Sequence, residues 1–250
     1  MLALYNTLIY QPIFNLFIGI YNFIPDVGIT ITLITLIIKV VLYPLTTKSL
    51  KAQQSLSELQ PKMEALKKQH KGDPTTLNAE TIKLYREHKV NTAGSCLPLL
   101  IQLPFLIAIY QVLRTGLAHP DFTQLYSFVH NPGLINPVSL GFIDLSRNHN
   151  IILAGLAAVA QFWQVRMLSQ KRPPAAAGEG AKDEDMAAMM NKQMTFMMPA
   201  IIAYTSWQFP AGLALYWFVT TLLTGAQQLW LKKKKADSPT PPGVIEGKIV

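Results

Sequence analysis

Long apolar runs alternate with short polar ones along this chain, and the runs set the predicted elements. Residues 27–47 read VGITITLITLIIKVVLYPLTT, enough to cross a bilayer, which takes roughly 20 helical residues at about 1.5 Å each. Apolar runs over 96–117, 150–168, 192–208 and 213–231 predict four more spans. Between the first two runs, residues 48–94 are polar, with Leu56, Leu59, Met63 and Leu66 at helical spacing. Lys71 and Gly72 interrupt that helix. Asp73 then reads as an N-cap with Pro74 at the first helical position, starting a second helix to about Lys89. The segment is a helical hairpin standing off the membrane. Phe209-Pro210-Ala211-Gly212 signals a tight turn between the last two spans. Residues 1–25 mix Tyr and Phe with Asn6, Gln11, Asn15 and Asn22, interrupted early by Pro12. Such a mixture suits an interfacial helix, with an extra span as the alternative.

Charge then orients the spans. Half of the 250 residues are hydrophobic, 14% are charged and the formal net charge is +8. In a soluble protein that charge would suggest nucleic acid. Here the basic residues flank apolar runs, so topology and the anionic membrane surface account for most of them, and DNA is not an expected partner. Lys and Arg gather in 48–94, around 166–192 and after Leu231, whereas 118–148 holds one, Arg147. The positive-inside rule therefore puts the N-terminus outside and the C-terminus in the cytoplasm. The low-complexity stretch 169–191 becomes a cytoplasmic loop, and 236–250 a disordered tail. No secretory signal, lipobox cysteine or organelle presequence is read at the start of the chain. Cys96 stands alone, so no intramolecular disulfide forms.

The search for chemistry is mostly negative. All five histidines lie in loops or at span edges, and no HExxH or CxxC occurs. No GxxxxGK[ST] phosphate loop and no GxSxG occurs. No span interior holds Asp or Glu. These absences argue against an enzyme and predict neither cofactor nor metal. What remains is Lys39, about 18 Å along its span from Val27. A cation there costs at least about 2.5–3.5 kcal/mol to insert, so it normally faces a wet cavity or a partner. The bland alternative is a lysine snorkelling to the interface on its four-carbon stem. Thr32, Thr35 and Lys39 fall at i, i+3 and i+7, on one helical face. One ammonium among neutral polar groups suits holding a polypeptide rather than cutting it.

The stretches GITITLITLIIKVVLYPLTTKSL, LQPKMEALKKQHK, VNTAGSCLPLLIQLPFLIAIYQVL and MTFMMPAIIAYTSWQFPAGLALYW resemble the YidC/Oxa/Alb family of membrane protein insertases. That resemblance implies an all-α membrane protein with five core spans within 26–235, around a polar groove open to the cytoplasm. It implies an insertase and chaperone in the bacterial inner membrane, acting without nucleotide hydrolysis. Lys39 falls where the family usually has a groove arginine. The departure keeps the charge and loses the bidentate fork. Thr35 and Trp217 match client-contacting positions, and Trp217 also reads as an interfacial anchor. Gln102 matches the family's LLIQ glutamine, with an interhelical hydrogen bond as its alternative. Gln161 and Gln164 are further groove candidates, or snorkelled end residues. Implied partners are nascent membrane protein clients, the lipid bilayer and, through 48–94 and Lys232, Lys233, Lys234 and Lys235, the Sec translocon and ribosome. For the four lysines a stop-transfer anchor is the alternative. A small-solute transporter or channel is the rival function. It would call for internal repeats or acidic ion sites, and neither is present.

Overall fold

The computed structural model describes residues 2–70, 72–88, 97–116, 122–168 and 196–236. It is nearly all helical. The helices are α1 (Leu2–Tyr5), a π-helical turn (Asn6–Tyr10), α2 (Gln11–Phe23), α3 (Val27–Val41), α4 (Tyr43–Gln69), α5 (Pro74–Glu87), α6 (Leu97–Gly116), α7 (Ile151–Leu168), α8 (Met198–Gln208) and α9 (Ala211–Ala236). A ribbon of β1 (Val138–Ser139) and β2 (Ile143–Asp144) pairs antiparallel, with Val138 opposite Asp144. Pro12 does not end the first segment. It sits in the first turn of α2, where its missing N–H costs little.

The single span expected over 27–47 is two helices. α3 stops at Val41, Leu42 leaves the helical region (φ −84°, ψ 1°), and α4 starts with Pro44 in its first turn. Pro44 has no N–H to bond the Val40 carbonyl, so one rung of the ladder is missing there. The two axes meet at 73°. Among the described residues no single helix is long and apolar enough to cross a membrane alone, but Val27–Val41 and Tyr43–Leu59 qualify as a bent pair. α4 continues through Pro61. α5 folds back along it, with the Tyr85 hydroxyl 2.8 Å from Met63 Sδ and Lys62 Nζ 2.7 Å from His88 Nε2. Asp73 caps α5 by accepting from the Thr75 and Thr76 N–H groups, each at 3.1 Å. Cys96, 169–191 and the tail 237–250 lie outside the described residues, as do 192–195 of the fourth expected span.

The core gathers at one end of the bundle. Phe14, Phe17 and Ile18 of α2, Val27, Ile31 and Ile34 of α3, Ile109 and Val112 of α6, and Ala214 and Tyr216 of α9 are all buried there. Residues 122–149 cap that end. Asp26 starts α3 by accepting from Ile29 N–H at 3.0 Å, and its carboxylate also takes the Ser139 hydroxyl (2.6 Å) and the Leu140 N–H (2.7 Å). Gly28 allows the approach, since a Cβ there would sit 2.2 Å from Ser139 Oγ. In the three-residue connection between the strands, Leu140 and Gly141 both take positive φ, 53° and 81°, and the Phe142 N–H bonds back to the Ser139 carbonyl at 3.2 Å. The amides of α2 are engaged by protein rather than left for a headgroup layer. Asn15 donates to the Gln124 carbonyl (3.0 Å) and accepts from the Tyr126 N–H (2.6 Å), while Asn22 donates to the His130 carbonyl (2.7 Å). On the far side, the Ala211 and Gly212 N–H groups bond the carbonyls of Arg147 and Leu145, both at 2.9 Å.

A candidate polar groove between α3, α7 and α9

Lys39 is half-buried and its Nζ donates to Thr224 Oγ1 of α9 at 2.7 Å. The Thr224 hydroxyl in turn donates to the Thr220 carbonyl, also at 2.7 Å. A bonded hydroxyl therefore steadies the cation, and none of α3, α6, α7, α8 and α9 carries an Asp or Glu to neutralise it. One helical turn on, Gln227 joins α9 to the start of α4, its Nε2 lying 2.8 Å from Thr47 Oγ1 and 3.1 Å from Thr46 Oγ1. Tyr43 and Trp230 meet edge to face at 6.3 Å between centroids. These ties fix the elbow at Leu42 against α9.

An adjoining face of α9 packs on α7. Gly225 lies under Trp163, and a Cβ there would fall 2.2 Å from the indole ring. Thr221 donates to Gln161 Oε1 at 3.5 Å, and Lys232 Nζ donates to the Met167 carbonyl. Thr221, Gly225, Gln228 and Lys232 thus form one stripe on α9. Gln228 is fully buried, and neither amide atom has a hydrogen-bond partner among the described residues.

The sequence-predicted residues divide by environment. Lys39 sits on the α3–α9 seam and Gln161 on the α7–α9 seam. Gln164, half-buried, is one turn beyond Gln161 on α7. Gln102 donates to the Tyr216 hydroxyl, so it does join α6 to α9 as an interhelical bond. Trp217 follows Tyr216 and is half-buried. The expected stripe of Thr32, Thr35 and Lys39 does not hold as one environment. Thr32 is exposed, Thr35 is buried, and their hydroxyls bond the helix's own carbonyls at Gly28 (2.8 Å) and Ile31 (2.6 Å). Such back-bonding is the usual resort of a helical threonine without another partner. Sequence reasoning missed Thr224, Gln227 and Gln228. Their signal was present in TTLLTGAQQ, a run of hydroxyls and amides inside a span. A cavity of about 400 Å³ lies at the capped end, between Tyr110, Arg114, Ser146 and Phe209, and no predicted site residue lines it.

Comparison with known proteins settles the family. The profile described as 60Kd inner membrane protein matches residues 19–238. The chain belongs to the YidC family of inner membrane proteins. It is 33% identical over 215 residues to a membrane protein insertase YidC of Fusobacterium nucleatum subsp. nucleatum, covering 86% of this chain and 90% of that one. It is 31% identical over 229 residues to the YidC insertase of Syntrophobacter fumaroxidans, covering 91% of this chain but 38% of the relative. The chain therefore spans nearly the whole of one relative and well under half of the other. Among solved structures it resembles a crystal structure of an active YidC insertase with its first transmembrane domain resolved. That match has a TM-score of 0.58 and 27% identity, and covers 89% of this chain and 45% of that one. A membrane location and a mostly helical fold follow for this YidC-family chain.

Proposed function

We propose that this chain is a membrane protein insertase and chaperone whose working surface is the seam between α3 and α9 at the Lys39 end. The observation that carries the reading is the Lys39–Thr224 pair, a bonded cation on the poorly buried side of a core that is closed at the other end. In this reading the capped end faces outward, and five spans surround a groove open to the cytoplasm. Short hydrophilic client segments enter from the α4–α5 side and meet Lys39, Thr224 and Gln227. The ammonium attracts acidic client residues, and attraction between opposite charges strengthens as the dielectric falls. The client's hydrophobic helix then passes into lipid, which itself supplies free energy. No nucleotide is needed. The α4–α5 hairpin and the basic end of α9 are the surfaces offered to a ribosome or translocon.

The test is insertion of a short single-spanning client into liposomes holding only this protein, scored by protease protection. Wild type and Lys39→Arg are expected to insert, and Lys39→Ala to fall to the level of empty vesicles. Thr224→Val is expected to lie between them, since it leaves the cation and removes its partner. Equal insertion by all four proteins would overturn the cationic groove.

A further inference from the structure

The loop that closes the capped end carries an unexpected surface. From Phe122 to Ile143 it contains no Asp, Glu, Lys or Arg. Yet several of its largest apolar side chains point away from the protein: Phe128 is 80% exposed, Leu134 91%, Leu140 63% and Phe142 76%. Phe23, at the end of α2, is 90% exposed. Loops that stand in water are polar, and exposed apolar groups gathered in one region mark an interaction surface. Leu140 sharpens the point. It holds a positive φ of 53° at a hairpin turn, where Gly, Asn or Asp would be the unstrained choice.

Hydrogen bonds gather these residues around the junction of α2 and α3. The His130 carbonyl is held by Asn22, the Asn136 N–H donates to the Tyr21 hydroxyl at 2.9 Å, and the Leu140 N–H sits on Asp26. Phe23 follows Asn22, Leu134 falls between His130 and Asn136, and Phe142 lies two residues past Leu140. The apolar side chains are thus fixed at the level where α3 begins, the head of the first apolar run.

We propose that this cap inserts Phe23, Phe128, Leu134, Leu140 and Phe142 into the outer leaflet of the bilayer, at the boundary between headgroups and acyl chains. The occupant is lipid rather than protein because the surface runs on through the exposed Phe23 and Ile24 just ahead of α3, in a chain of an inner-membrane protein family. It has no formal charge with which to select a partner, and aromatic and leucine side chains are the ones that settle at this depth. With no cation in the segment, insertion draws on apolar area alone, so it does not require anionic lipid. The inference rests on the family's membrane location and not on the groove.

Full-length protein lacking Cys96 (Cys96→Ala), with Leu134→Cys, Leu140→Cys or Phe142→Cys, is labelled with an environment-sensitive dye and reconstituted into phosphatidylcholine vesicles. Gln69→Cys, at the end of α4, is the water-exposed reference. Dyes at 134, 140 and 142 are expected to be quenched by lipids carrying a shallow nitroxide and shielded from aqueous iodide, with the reverse at 69. Iodide quenching at the three loop positions equal to that at 69 would overturn the proposal. So would shielding that appears only when anionic lipid is added, since the charge-free account would then fail. Client insertion by the labelled proteins, measured separately, reports on the groove and is expected to be independent of the dye result.

Discussion

The two ends of this bundle are built on opposite principles. At the capped end α2, α3, α6 and α9 close on one another until Phe17, Ile31 and Ala214 are buried, and loop 122–149 is bonded across them. At the other end the same α3 exposes Val40 and Val41, α6 exposes Leu100, and α9 exposes Leu229 and Trp230. The polar groups there meet through side-chain hydrogen bonds such as Lys39–Thr224 and Gln227–Thr47. Both ends draw on the same helices, so the difference lies in what fills the space between them. A plug of aromatic side chains from α2 closes one end, and the other end has no counterpart among the described residues. One end is therefore a closed scaffold, and the other leaves large side chains of α3, α6 and α9 exposed.

The sharpest way to break this contrast is to open the scaffold. Phe17→Ala is expected to cost about 3–5 kcal/mol, as large cavities do, whereas Val41→Ala costs under about 0.5 kcal/mol, as an exposed change does. Thermal unfolding of both variants in the same detergent checks it, and equal losses would remove the distinction between the ends. Next in size is Gly225→Leu. The new side chain must displace Trp163, and overpacking of this kind costs about 1–3 kcal/mol, read in the same unfolding experiment.

Asp26→Asn tests the cap itself. Burial pushes the Asp26 carboxyl up, but the Leu140 N–H, the Ser139 hydroxyl and the Ile29 and Gly28 N–H groups together hold it below the usual carboxylate range. The sign follows from that depression. The stabilisation is fully present above the unfolded carboxylate value of about 4 and is lost as pH falls through the lower folded value. Asp26→Asn is expected to remove that acid-limb dependence and to cost about 1.5 kcal/mol near neutrality, the low end for hydrogen bonds to a charged group. Unfolding midpoints measured at neutral and acid pH separate the two effects. The smallest change is expected from Lys62→Ala. Its contact with His88 is solvent-exposed, and loss of such a contact moves stability by no more than about 0.5 kcal/mol.

Much of this was legible in the chain. The apolar runs locate α3, α6, α7 and α9, and the Asp73-Pro74 pair marks the start of α5 because an N-cap followed by proline is a local signal. The elbow at Leu42 was missed because hydropathy averages over a window, whereas the break sits at one residue, two before Pro44. Lys39 was legible from its cost. Thr224, which bonds it, lies 185 residues away, and no helical period links the two. The engagement of Asn15 and Asn22 was hidden for the same reason. An amide reads alike in a sequence whether a headgroup or a loop carbonyl satisfies it.

The elbow has a mechanical corollary. A single residue separates α3 from α4, and α4 runs from Tyr43 to Gln69 with Pro61 inside it, about 40 Å at helical rise. That length is an arm on a one-residue pivot. Swinging it about Leu42 turns the two dihedrals of that residue and pulls on the Thr46 and Thr47 bonds to Gln227. A load bearing on the tip of the hairpin therefore arrives, with the leverage of the whole arm, beside the helical turn of α9 that carries Thr224.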